Sequence, residues 1–183
     1  MSQTPSMNAP YGQQPEEVDA RVSAELSARR ANLPAGTLQI IGGAVAIVAA
    51  FLSWASLRAN SVSISVNGMG DVSGLPAGAE LPETNIGDGW FVIGAGAVAA
   101  LGGVLLVVLK QGALSVLGLI GGLGVLGLGV YELVQIETVI GRFEALGSGA
   151  SGAVGIGIWL LIAGGAVTLI GVDPRFGVGP RTS

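Results

Sequence analysis

Four long runs without a charged residue constrain this chain more than any other feature. They are residues 37–57 (TLQIIGGAVAIVAAFLSWASL), 90–109 (WFVIGAGAVAALGGVLLVVL), 113–131 (ALSVLGLIGGLGVLGLGVY) and 153–172 (AVGIGIWLLIAGGAVTLIGV). At ~1.5 Å of rise per helical residue each is roughly 28–32 Å long, the hydrocarbon thickness of a bilayer. A soluble core helix keeps a polar face, and these have none. Strict alternation is missing within them, so they do not read as membrane-barrel strands. In lipid a backbone must pair its own N–H and C=O groups, which a helix does. The expected fold class is an all-α membrane protein, with a four-helix transmembrane domain over residues 37–172. Only 11% of the residues are charged, against about a quarter in soluble domains. The first run is 21 residues long and follows a polar segment. It reads as an uncleaved signal-anchor rather than a secretory signal.

The flanks divide in turn. Residues 1–14 are polar and rich in Pro, Ser and Gln, the composition of a disordered tail. In residues 15–31, Val18, Val22 and Leu26 recur every fourth position, which predicts an amphipathic juxtamembrane helix. Asn32-Leu33-Pro34-Ala35-Gly36 is expected to end it. Within the segment 58–89, Ser61 to Val66 alternates polar and apolar residues before Asn67-Gly68. That pattern predicts a small extracellular strand pair or hairpin in the first outer loop. Lys110-Gln111-Gly112 is a tight turn that makes spans two and three antiparallel. Leu133, Ile136, Ile140 and Phe143 keep helical spacing beyond the third run, until Gly147-Ser148-Gly149 breaks it. Residues 173–183 are a second polar tail.

Basic residues set the expected orientation. Arg21, Arg29, Arg30, Lys110, Arg175 and Arg181 fall on one side of the four spans, and Arg58 and Arg142 on the other. Both termini are therefore expected in the cytoplasm of a multi-pass cell-membrane protein. The outer face collects Asp71, Glu80, Glu83, Asp88, Glu132, Glu137 and Glu144. Trp54, Trp90 and Tyr131 sit at the outer ends of runs, where amphipathic rings anchor at the lipid–water interface. Trp159 lies inside the fourth run and is expected to pack against a neighbour or lipid.

Glycine gives the most specific pattern. Of the 32 glycines, 17 lie inside the four runs, where small residues let helices approach closely. Gly118, Gly121, Gly124 and Gly127 repeat every third residue, and Gly118 with Gly122 forms a GxxxG. Ala95, Ala99 and Gly103 mark a face of the second run, and Gly42, Ala46 and Ala50 a face of the first. These are the expected helix-packing positions. They serve the chain's own bundle, a homo-oligomer or another membrane subunit.

The sequence is poor in reactive groups. It has no Cys and no His, so thiolate chemistry and the usual general base are missing. No GxxxxGK[ST] is present, and Gly94-Ala95-Gly96 lacks a βαβ setting. Glu132 with Glu137, or Glu80 with Glu83, are too sparse for a hard-cation cage and read as solvated acids. Ser53, Ser56 and Ser115 have no activating base. Gln39 lies near the cytoplasmic end of the first run, where the interior otherwise offers only hydroxyls. No catalytic, cofactor-binding or metal residues are expected, and no cofactor. A net charge of −4 argues against nucleic acid.

Phe51-Leu52-Ser53-Trp54, the Gly-rich outer loop, Asp88-Gly89-Trp90 and Gly157-Ile158-Trp159-Leu160-Leu161 together resemble small four-helix integral membrane proteins of actinobacteria. The likeness covers residues 37–172 in layout, and its motifs are short. It implies a cell membrane within a Gram-positive-type envelope, and brings no reaction. The span order and the strand-bearing first loop also resemble the claudin-like tetraspan layout. Both loop cysteines and the accompanying Gly-Leu-Trp motif are missing, so no claudin function is carried over.

The expectation is a non-enzymatic structural or accessory membrane protein acting through close helix packing. Its partners would be lipid, further copies of itself or another membrane subunit. The alternative is an oligomeric channel or small-molecule transporter.

Overall fold

The computed structural model describes residues 15–59, 62–75, 88–109, 114–145, 147 and 149–172. The described chain is mostly helical and carries one small sheet. Its elements are α1 (Pro15–Ala50), β1 (Ser53–Ala59), β2 (Val62–Asn67), β3 (Val72–Ser73), α2 (Gly89–Leu109), α3 (Ser115–Glu144), β4 (Ala150–Val154) and α4 (Ile156–Ile170). Three helices are long and apolar enough to cross a membrane: Leu33–Ala50 within α1, α2 and α3. Apolar α4 is shorter, at 15 residues.

The helices pack in the cyclic order α1, α2, α3, α4, with α1 and α3 meeting little across the centre. Their contacts run backbone to backbone. A Cβ on Gly43 would lie 2.5 Å from the Gly96 carbonyl oxygen, and one on Gly96 would lie 2.9 Å from that of Gly43. Gly36 and Gly103 form a second reciprocal pair between α1 and α2, and Gly42 and Gly164 join α1 to α4 in the same way. No methyl group fits at these crossings. Close approach adds to the burial of Val92, Val125, Ile158 and Leu161 in the helix core as a source of contact.

The sheet is antiparallel, in the order β3-β2-β1-β4. It closes one end of the helices, where α1 and α3 finish and α2 and α4 begin. Register separates its faces. Ala55 lies opposite Val66 and Val154, and Leu57 opposite Ile64 and Gly152. This apolar face lies against the far part of α3, where a Cβ on Gly152 would touch Ile140 at 2.7 Å. The other face carries Ser56, Arg58, Ser63, Ser65 and Ser151, which the same register sets side by side.

Several expectations need correction. Pro34 does not end a helix, because α1 runs through it. The hydroxyl of Thr37 donates to the Leu33 carbonyl one turn back, at 2.8 Å. The first membrane run does not reach residue 57. Its helix stops at Ala50 and residues 53–59 are β1, the central partner of two other strands. The fourth run likewise begins as strand: residues 153 and 154 belong to β4, and Gly155 donates its N–H to the Trp54 carbonyl at 2.7 Å. The expected strand pair is present as β2 and β3, joined by a turn in which Asn67 Oδ1 accepts from the N–H groups of Met69 and Asp71. It is half of a larger sheet. The α3 extension reaches Glu144. The expected tails, the loop acids Glu80 and Glu83, and the turn at Lys110 lie outside the described residues.

Candidate functional site

Two groups of polar residues stand out against the apolar helices, one inside them and one at their sheet end.

Inside, Gln39 of α1 is fully buried. Its side chain fills space left by glycines on all three other helices, lying against Gly118, Gly103 and Gly171. Neither amide atom hydrogen-bonds a protein group among the described residues. Thr168 is buried nearby on α4, but its hydroxyl donates to the Gly164 carbonyl at 2.9 Å. The two polar side chains are one helical turn apart along the inner face of α1, since Thr168 meets Gly42. Gln39 thus carries an uncompensated desolvation cost, of the order of 1–3 kcal/mol for an unsatisfied group.

At the sheet end, Glu132 of α3 is 2% exposed and its carboxyl lies beside that of Asp88, close enough for a hydrogen bond. Such a bond between two carboxyl groups needs a proton on one of them. Asp88 stands just ahead of α2, and its carbonyl accepts from Phe91 and Val92. Glu132 was expected beside Glu137 as a solvated acid. Instead the chain buries it against an acid from another helix, while Glu137 is exposed. The other described acids here are also engaged. Asn67 Nδ2 donates to Asp71 at 3.0 Å, and the Gly152 N–H donates to Glu144 at 3.1 Å. The latter occupies an N–H on edge strand β4, which would otherwise be open to pairing.

Trp54 was expected as an interface anchor, with its ring in contact with lipid and water. It is fully buried, and its indole N–H donates to the Ala49 carbonyl at 2.8 Å, at the end of α1. Its ring lies against Gly68 and Gly157, both too close to it to carry a Cβ. The register of β1 against β2 shifts between Ser53 and Ala55, at Trp54 itself. Trp54 therefore ties α1, the β2–β3 turn and α4 together. Trp90 and Tyr131 are 70% and 55% exposed at the same end.

The small residues singled out by spacing divide by environment. Gly42, Ala46, Ala50, Ala99, Gly103, Gly118, Gly121 and Gly122 are buried. Gly121 lies against the Ala99 backbone and Gly122 against Thr168. Gly124 is half-buried, with Ala95 as its neighbour, whereas Gly127 is exposed and a Cβ there would meet nothing within 4 Å. Spacing did not single out Gly36, Gly43, Gly96, Gly102, Gly164 and Gly165, which make equally close contacts. Among the described residues no group of three or more acidic side chains could hold a metal ion.

The chain matches no protein-family model and no curated protein sequence.

Proposed function

We propose that this chain is a non-enzymatic, structural or accessory integral membrane protein, crossing the cell membrane four times with both termini in the cytoplasm. The observation that supports it best is an inverted distribution of size. The closest helix crossings are made by glycine and alanine, while Ile41, Val48, Phe91, Leu101, Val108, Ile120, Leu123, Val134 and Trp159 are exposed. In water the large side chains would be inside, since their burial drives folding. A continuous surface of exposed large apolar groups marks contact with lipid or another protein. The short helix α4 then spans a bilayer thinned to fit it, a modest cost.

In this reading the sheet and the far part of α3 form an outer cap. The open positions Gly94 and Gly127, whose Cβ atoms would meet nothing, are where a helix of another copy or subunit approaches closely. The close crossings of α1 with α2 and of α1 with α4 support a packing role over a solute path along α1. Native mass spectrometry in mild detergent tests the role. An oligomer or a co-purifying membrane protein is expected, and a strictly monomeric species with no companion would contradict it. Orientation is tested separately in this cysteine-free chain. Ser63→Cys should react with a membrane-impermeant thiol reagent in intact cells, and Ser2→Cys only after permeabilisation; the reverse would invert the topology.

A further inference from the structure

We infer that the polar face of the sheet is a binding site for an oxyanion, a phosphate or carboxylate group, centred on Arg58. Strand register places Ser63 and Ser151 directly opposite Arg58 on its two sides. Ser56 stands two residues along the same face. Directly opposed residues have Cβ atoms about 4.5–5.5 Å apart, so one guanidinium and several hydroxyls converge on one patch. The patch is concave. A groove of about 220 Å³ is lined by Ser56, Arg58, Ser63 and Ser151, together with Leu57, Gly152 and Ala153. That is smaller than the ~300–1,000 Å³ of sites for drug-sized ligands, and suits a single head group.

The chemistry selects an anion. Guanidinium is a rigid fork of N–H donors without an acceptor, matched to two oxygens of a carboxylate or phosphate. Ser63 and Ser151 add hydroxyl donors that have no hydrogen-bond partner among the described residues. The setting is informative because this end of the chain is acidic. Asp71, Glu132 and Glu144 are each held by a partner other than Arg58. Among the described residues Arg58 forms no ion pair. A basic side chain that serves only solubility has no need of a serine-lined groove on a packed sheet. The site is built within one chain and does not depend on the accessory role proposed above, so its failure would leave that reading standing.

The same chemistry is offered by a soluble oxyanion and by an anionic lipid head group, and two arms separate them. The full chain is placed in phosphatidylcholine nanodiscs and titrated with inorganic phosphate, following the Arg side-chain N–H signals by NMR. In parallel, native mass spectrometry follows retention of phosphatidylglycerol over phosphatidylcholine. Binding is expected in at least one arm. Phosphate binding alone identifies a soluble ligand, and phosphatidylglycerol retention alone a head group. Arg58→Ala should weaken the positive arm about tenfold or more, as loss of a charged hydrogen-bond donor does. Arg58→Lys should keep part of the binding. Ser63→Ala with Ser151→Ala should weaken it several-fold without changing the melting temperature. Binding in neither arm, or undiminished binding by Arg58→Ala, would overturn the inference.

Discussion

The helices and the sheet of this chain obey opposite rules. In the sheet, apolar Ala55, Ile64 and Val66 face inward while Arg58, Ser63 and Ser151 face out. That is the arrangement of an antiparallel sheet with one face in water. In the helices, Gly43, Gly96, Gly103 and Gly121 face inward while Leu101, Ile120 and Leu123 face out. In the reading proposed above, the same chain meets two solvents. In that reading the boundary between them falls near Trp90 and Tyr131, whose rings suit an interface.

This contrast can be broken most severely at a helix crossing. Gly43→Leu would drive four carbon atoms into the Gly96 backbone. Overpacking typically costs about 1–3 kcal/mol and more where backbone blocks relaxation. Loss of folded protein in a detergent thermal-stability assay is expected. Gly122→Leu should also destabilise, though less, because its nearest neighbours are side-chain atoms of Thr168 and Leu169. Unchanged stability in both would show that the helices do not meet as described.

Glu132 lies where the two regions join. Glu132→Ala removes the partner of Asp88 from a buried position and should cost about 1–3 kcal/mol. Glu132→Gln still donates to an Asp88 carboxylate and should cost less than half as much. Equal losses for the two variants, measured as melting temperatures, would remove the carboxyl pair from the account.

Gln39 predicts the opposite sign. Gln39→Met keeps length and shape while deleting two unsatisfied polar atoms, so stability should rise by about 1–3 kcal/mol. A loss instead would mean that the amide has a partner that matters. The smallest effect is expected at Gly127, which is open. Gly127→Leu should change monomer stability by no more than about 1 kcal/mol, in the stabilising direction because Gly is a poor helix former. If another helix docks there, the variant should nonetheless lose its oligomer or partner in native mass spectrometry.

How legible this was depended on which rule governed each segment. Helix α2 was readable almost to its ends, because a charge-free run between Asp88 and Lys110 has one outcome in lipid. The extension of α3 followed from Ile136 and Ile140, whose helical spacing survives past Tyr131. Strand β2 showed its alternation openly. Strand β1 did not: Trp54, Ala55 and Leu57 are apolar enough that their hydropathy merged with the preceding helix. Pro34 misled because proline commonly ends or kinks a helix, whereas α1 continues through it. The glycine crossings were partly visible as spacing, but Gly43 with Gly96 required knowing which helices are neighbours. The Asp88–Glu132 bond and the row Ser63, Arg58, Ser151 were not legible at all. Both join positions far apart in sequence through register and packing, which no local pattern encodes.

Solvent around the two regions can be measured directly, since the chain contains no native cysteine. Spin labels attached at Leu101→Cys on α2 and Ser63→Cys on β2, in nanodiscs, report collisions with oxygen and with a water-soluble nickel complex. The label at 101 should meet oxygen and exclude nickel, while the label at 63 should meet nickel freely. If nickel reaches position 101 as readily as position 63, the helices do not face lipid.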